Sequence, residues 1–132
     1  MNLLRLFLPR LLIGLVTAWN LQAAFVFIIA PASFVHAYEL SGAAGEAAVR
    51  GVGVLFLMWN IPYLFAPRDP MKYHLALVLA ILMQFAGLLG ESYILSTLPA
   101  GHEVLSGSIL RFIAFDGVGL VLLVPALWLL RE

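Results

Sequence analysis

Residues 75–98 read LALVLAILMQFAGLLGESYILSTL, an apolar run in which Glu91 is the one charged residue. At 1.5 Å per helical residue the run is long enough to cross a hydrocarbon core of roughly 30 Å. A soluble domain seldom builds a helix this apolar all round, whereas a membrane span must. Three further stretches have the same character, giving expected spans at 11–30, 47–66, 75–98 and 108–130. The connecting segments PASFVHAYELSGAAGE, PRDPMKYH and STLPAGHEVLSG carry the prolines and glycines that stop helices and permit turns. Connections this short make sequential helices antiparallel, so the expected fold is an all-α, up-down-up-down, integral membrane four-helix bundle in a single domain, 1–132. The first apolar stretch exceeds the core of a signal peptide and opens the regular pattern, so it is read as the first span.

Composition points the same way. The 132 residues are 64% hydrophobic and 11% charged, and the mean hydropathy is +1.06. Seven basic residues balance seven acidic ones without a Lys/Arg-rich tract, which removes nucleic acid as a partner. With no cysteine, thiol redox chemistry, disulfides and sulfur-ligated metals are excluded. His36 with Glu39 and His102 with Glu103 fall in two outer loops without ligand spacing, so no metal site is expected. Serine-nucleophile and phosphate-loop motifs are absent from the sequence.

Lys and Arg near span ends stay on the cytoplasmic side. Arg5, Arg10, Arg68, Lys72 and Arg131 fall on one side, and Arg50 and Arg111 towards the other. Both termini are therefore expected in the cytoplasm, with the chain in the inner membrane of the cell. Tyr63, Tyr73 and Trp128 then lie at the inner interface and Tyr38 and Tyr93 at the outer, where amphipathic rings settle.

Counting along each helix from its cytoplasmic flank sorts the polar residues into two layers. Asn20, Asn60 and Gln84 come out at about 12 to 15 Å, near mid-membrane. The dipeptide Trp-Asn occurs in both of the first two spans, at Trp19-Asn20 and Trp59-Asn60. Amides at that depth act first as interhelical hydrogen-bonding groups. Pro62 and Pro125 each remove a helical donor, freeing the carbonyls of Met58 and Val121. Asp116, Glu91, Arg50 and Arg111 lie at about 22 to 30 Å, in the outer half. A lone charge there is costly and a paired one tolerable, so the expectation is a compensated cluster of Arg50, Glu91, Arg111 and Asp116 facing the bundle interior. Gln84, Gly87, Leu88 and Glu91 share one helical face. Glycines border each charged site: Gly51 and Gly53, Gly87 and Gly90, Gly117 and Gly119. Arg50 and Arg111 are also close enough to span ends to reach the headgroups instead.

The segments LLRLFLPRLLIG, PASFVHAYELSGAAG and RGVGVLFLMWN give the chain a resemblance, over about the first two helices and the start of the third, to the DoxX-like group of small four-helix membrane proteins. The resemblance implies a four-helix bundle and, in some members, association with membrane redox enzymes or quinone; it supplies no catalytic residue. Three functions stay open. The first is a binding or accessory protein whose charged layer holds a quinone or lipid, alone, as a homo-oligomer or in a larger membrane complex. The second is an oligomeric proton- or cation-coupled transporter or channel. The third is an enzyme on a lipid-soluble substrate, which no motif favours. Beyond the bilayer and a quinone or lipid, no cofactor is expected.

Overall fold

The computed structural model describes the backbone of residues 3–131 and the side chains of residues 6–131; the Arg5 side chain lies outside them. Every long element is a helix: α1 Leu3–Ile29, α2 Gly42–Trp59, α3 Ile61–Phe65, α4 His74–Thr97 and α5 Glu103–Leu129, with no strand among the described residues. Four of them, α1, α2, α4 and α5, are long and apolar enough to cross a membrane.

Local chemistry sets the ends. Ala30, ahead of Pro31, leaves helical geometry (φ −127°, ψ 53°), and Leu98, ahead of Pro99, turns extended (ψ 127°), because a proline ring clashes with a helical residue before it. Between α1 and α2 the chain makes two short 3₁₀ turns, Pro31–Ser33 and Val35–Tyr38. The second closes at Glu39, whose left-handed φ of 55° lets its N–H and that of Leu40 bond back to the carbonyls of His36 and Val35. Asp69 anchors the turn before α4, accepting the Lys72 N–H on Oδ1 and the Tyr73 N–H on its carbonyl.

The second expected span, 47–66, is not one helix. Pro62 has no N–H to give the Met58 carbonyl, so the helix breaks at Asn60 and resumes as α3. The fourth begins earlier than expected, at Glu103 rather than Ser108, with that carboxylate in the first turn where the helix dipole favours a negative charge.

Packing runs α2 on α1, α1 on α5 and α5 on α4, with α3 folded against α4. One buried cluster joins Ile13 and Val16 of α1, Tyr63 of α3, Leu77 and Ala80 of α4, and Leu123 and Ala126 of α5. A second, aromatic cluster gathers Phe27, Val35 and Val49 with Phe34, Tyr38, Phe56 and Phe112. In lipid the hydrophobic effect gives helices little reason to associate, so close approach at small residues matters. At Gly53 a Cβ would lie 2.9 Å from the Ala24 carbonyl oxygen, which makes this the tight α1–α2 crossing. The outer surface is apolar: Ile29, Val121, Leu75 and Trp128 are 76%, 71%, 69% and 62% exposed. A belt of this kind suits acyl chains and not water.

A candidate binding cavity between the helices

α2 and α4 are not among the packed pairs. Between them, floored by α1 and α5, lies a cavity of about 470 Å³. Its lining includes the Trp-Asn dipeptide of α1 (Trp19, Asn20) and its counterpart at the end of α2 (Trp59, Asn60), along with Gln84, Glu91 and Asp116. Both copies of the repeated dipeptide thus open onto one space. Along α4 the lining positions Met83, Gly87, Gly90 and Ile94, with Gln84 and Glu91 beside them, follow helical spacing and define the face turned inward.

A hydrogen-bond chain crosses the floor of the cavity. The Tyr63 hydroxyl donates to Gln84 Oε1 (2.5 Å), with the Ala80 carbonyl 2.9 Å away as a second acceptor. Gln84 Nε2 in turn donates to Asp116 Oδ1 (2.9 Å). The phenol, needing an acceptor, and the carboxyl oxygen, needing a donor, fix which way the amide points. Tyr63 and Gln84 are 2% and 4% exposed, so these bonds are sealed from water on the protein side. Two glycines make the chain sterically feasible. A Cβ on Gly87 would sit 2.5 Å from Asp116 Oδ2, and one on Gly119 would sit 2.5 Å from Gln84 Nε2. Behind Tyr63, the Thr17 hydroxyl lies 2.8 Å from the Ile13 carbonyl and 3.0 Å from that of Tyr63, tying α1 to α3.

Asn60 is 3% exposed and donates Nδ2 to the Phe56 carbonyl within its own helix (2.7 Å). Its Oδ1 is buried with no hydrogen-bond partner. Such an orphan acceptor costs about 1 to 3 kcal/mol in a folded protein. Aromatic rings form the opposite wall: Trp19 meets Phe115 edge to face at 4.7 Å, and Phe56 packs between Phe112 (5.6 Å) and Trp59 (6.0 Å).

The four-charge cluster expected from depth does not form. Glu91 and Asp116 both line the cavity, but Arg50 and Arg111 do not. Arg50 is exposed and its Nε donates to the Ile28 carbonyl (3.1 Å). Arg111 donates to the Ser108 hydroxyl (2.9 Å), which itself donates to the Ala37 carbonyl in the α1–α2 connection. The physical reason is azimuth. Arg111 and Asp116 are five residues apart and so face directions about 140° apart on α5, whereas Ser108 and Arg111 are neighbours at i, i+3. On α2, Val49 and Gly53 take the buried face and Arg50 points past them. In the α1–α2 connection, burial pushes the Tyr38 hydroxyl above its ordinary range.

The one ion pair among the described residues is in the connections, where His102 Nδ1 meets Glu39 Oε2 at 2.5 Å while Glu39 Oε1 accepts the Leu105 N–H (3.1 Å). His36 and Glu103 do not join them, and the described residues hold no group of three or more His, Asp or Glu placed to share a metal ion. Reading the sequence missed Tyr63, which was expected at the interface and is in the core. The available signal was Gln84 itself, an amide in an apolar helix that needed a partner. When the chain is compared with protein families, curated proteins and solved structures, none of them matches it.

Proposed function

We propose that this chain is a small multi-pass protein of the inner membrane that binds a lipid-soluble organic molecule, of the size of a quinone ring or a lipid headgroup, between α2 and α4. The observation that carries the reading is a cavity of about 470 Å³ walled by aromatic rings and furnished with two carboxyl groups and the amide of Asn20. Ligand sites have this character, mostly apolar with a few placed polar groups that set orientation. An accessory role beside membrane redox enzymes, as the DoxX-like resemblance implies, belongs to the same proposal.

The up-down-up-down arrangement with both ends cytoplasmic is part of this reading. Its support is that the 30–41 and 98–102 connections meet through Glu39 and His102, while the start of α1, the start of α4 and the end of α5 share the other cluster. The basic residues around Arg10, Arg68, Lys72 and Arg131 then gather at one end.

The test is retention of a small molecule. Gly90 lines the cavity, and a Cβ there meets nothing within 4 Å, so Gly90→Leu fills the space without disturbing packing. Mass spectrometry of the solvent extract from purified protein is expected to show a species enriched over bulk membrane in the wild type and depleted in Gly90→Leu. Identical extracts would refute the reading. Proton- or cation-coupled transport by an oligomer is the second reading, favoured by two carboxyls that share one cavity with no arginine within ion-pair distance. Ion flux in proteoliposomes that vanishes in Asp116→Asn would select it.

A further inference from the structure

The balance of donors and acceptors in the cavity narrows the ligand. Among the described residues no Lys, Arg or His lines it. The Tyr63 hydroxyl, the Gln84 amide N–H and the Asn60 amide N–H are already given to Gln84, Asp116 and Phe56. The acceptors left unspent on the cavity side are the Glu91 carboxyl and the second oxygen of Asp116. The remaining donors are the Asn20 amide, the second N–H of the Asn60 amide and the Trp19 and Trp59 indoles. A quinone, ketone or phosphate presents oxygen lone pairs, for which the cavity offers only these uncharged N–H groups while the carboxyls oppose them. A positively charged group is attracted by the two carboxyls and by the negative faces of Trp19, Phe56, Trp59, Phe112 and Phe115.

We infer that the cavity selects a lipophilic organic cation, held between its aromatic wall and the Glu91 and Asp116 carboxyl oxygens. This rests on the binding reading above and specifies its ligand class. Both a free hydrophobic cation and the ammonium end of an amine lipid carry this chemistry. An inserted phosphate does not, because the lining lacks a basic residue to pair with it.

The probe is tetraphenylphosphonium, titrated against the purified full chain in lipid-free detergent micelles and read by tryptophan fluorescence, with Trp128→Phe removing the exposed indole outside the cavity. Triphenylphosphine oxide, a neutral aryl acceptor of related shape, is the comparison. Glu91→Gln and Asp116→Asn are the variants, each isosteric and checked for helical content; asparagine can still accept the Gln84 bond. The expected result is saturable quenching by the cation, weakened about tenfold by either variant, with no saturable binding of the oxide. Repeating the titration in phosphatidylethanolamine nanodiscs separates the two sources. A weaker apparent affinity there makes the lipid ammonium a competitor for the site, and an unchanged affinity assigns the site to a free cation. If the oxide binds as tightly as the cation and neither variant matters, the inference falls while the binding cavity stands. If neither probe binds to folded protein, the inference falls, and the extract comparison of Gly90→Leu decides the binding reading by itself.

Discussion

Replacing Gly119 by alanine sets a methyl group against the centre of the hydrogen-bond chain. The new Cβ would lie 2.5 Å from Gln84 Nε2, 2.7 Å from Cδ and 3.1 Å from Cγ. Gln84 has little freedom to yield, because Tyr63 holds one end of its amide and Asp116 the other, and it is 4% exposed. Overpacking of this kind costs about 1 to 3 kcal/mol. Breaking one interhelical hydrogen bond in a membrane adds about 0.6 to 1.7 kcal/mol. The alanine returns up to about 1 kcal/mol through helix propensity, leaving a net loss of about 0.6 to 3.7 kcal/mol. Gly117, two residues earlier, supplies the internal control: a Cβ there meets nothing within 4 Å. Gly117→Ala should therefore be neutral or stabilising by up to about 1 kcal/mol. Unfolding in mixed micelles by sodium dodecyl sulfate, followed by helical circular dichroism, measures both. Gly119→Ala is expected to unfold at a clearly lower detergent fraction than Gly117→Ala. Coincident curves would show that Gln84 is not pinned where the geometry has it.

Two other consequences are open to measurement. In a Tyr63→Phe and Gln84→Leu double-mutant cycle the losses should fall short of additive by about 1 kcal/mol, because each single change already breaks the shared bond; additivity within about 0.5 kcal/mol would deny it. The bond from His102, and secondly the Leu105 N–H, hold the Glu39 carboxyl below its ordinary value of 4.5. A carboxyl depressed in the fold lends stability above its unfolded pKa and loses it as pH falls through its folded pKa. Hydrogen exchange of 30–41 and 98–105, corrected for intrinsic rate, should thus lose protection only below about pH 4.5 in the wild type and show no such step in Glu39→Gln. A wild-type profile without an acid step would contradict the contact.

How much of this could be read from the sequence follows from which coordinate each signal carries. Hydropathy reports residence in an apolar medium, and so the third helix was legible to within a residue, expected at 75–98 and found at His74–Thr97. Residue counting reports height along an axis. It set Asn20, Asn60 and Gln84 at one level, and these three do open onto one cavity. Height is silent on azimuth, and there the arginines were misjudged: Arg111 shares the level of Glu91 but turns to Ser108 and the loop. The break at Asn60 was visible as Pro62, yet its effect on direction was not, since only the packing of α3 on α4 decides where the chain goes after the proline. That same turn carried Tyr63 from an expected interfacial position to the core, where its hydroxyl reaches Gln84. Glycines gave the most ambiguous signal. Gly87 and Gly119 admit the hydrogen-bond chain, while Gly51, Gly90 and Gly117 border open space.

The central claim is that α2 and α4 stand apart around a space a small molecule can enter. Since the sequence contains no cysteine, a single introduced thiol reports alone. Ala86 lines the cavity, and Leu82, one turn earlier on α4, is 57% exposed on the outer surface and does not. Ala86→Cys should react with a membrane-permeable maleimide in native membranes because the cavity admits water, whereas Leu82→Cys, set against acyl chains where a thiol stays protonated, should react little. Adding Gly90→Leu should slow labelling at residue 86 and leave residue 82 unchanged. Equal effects at the two positions, or no reaction at residue 86, would contradict the cavity.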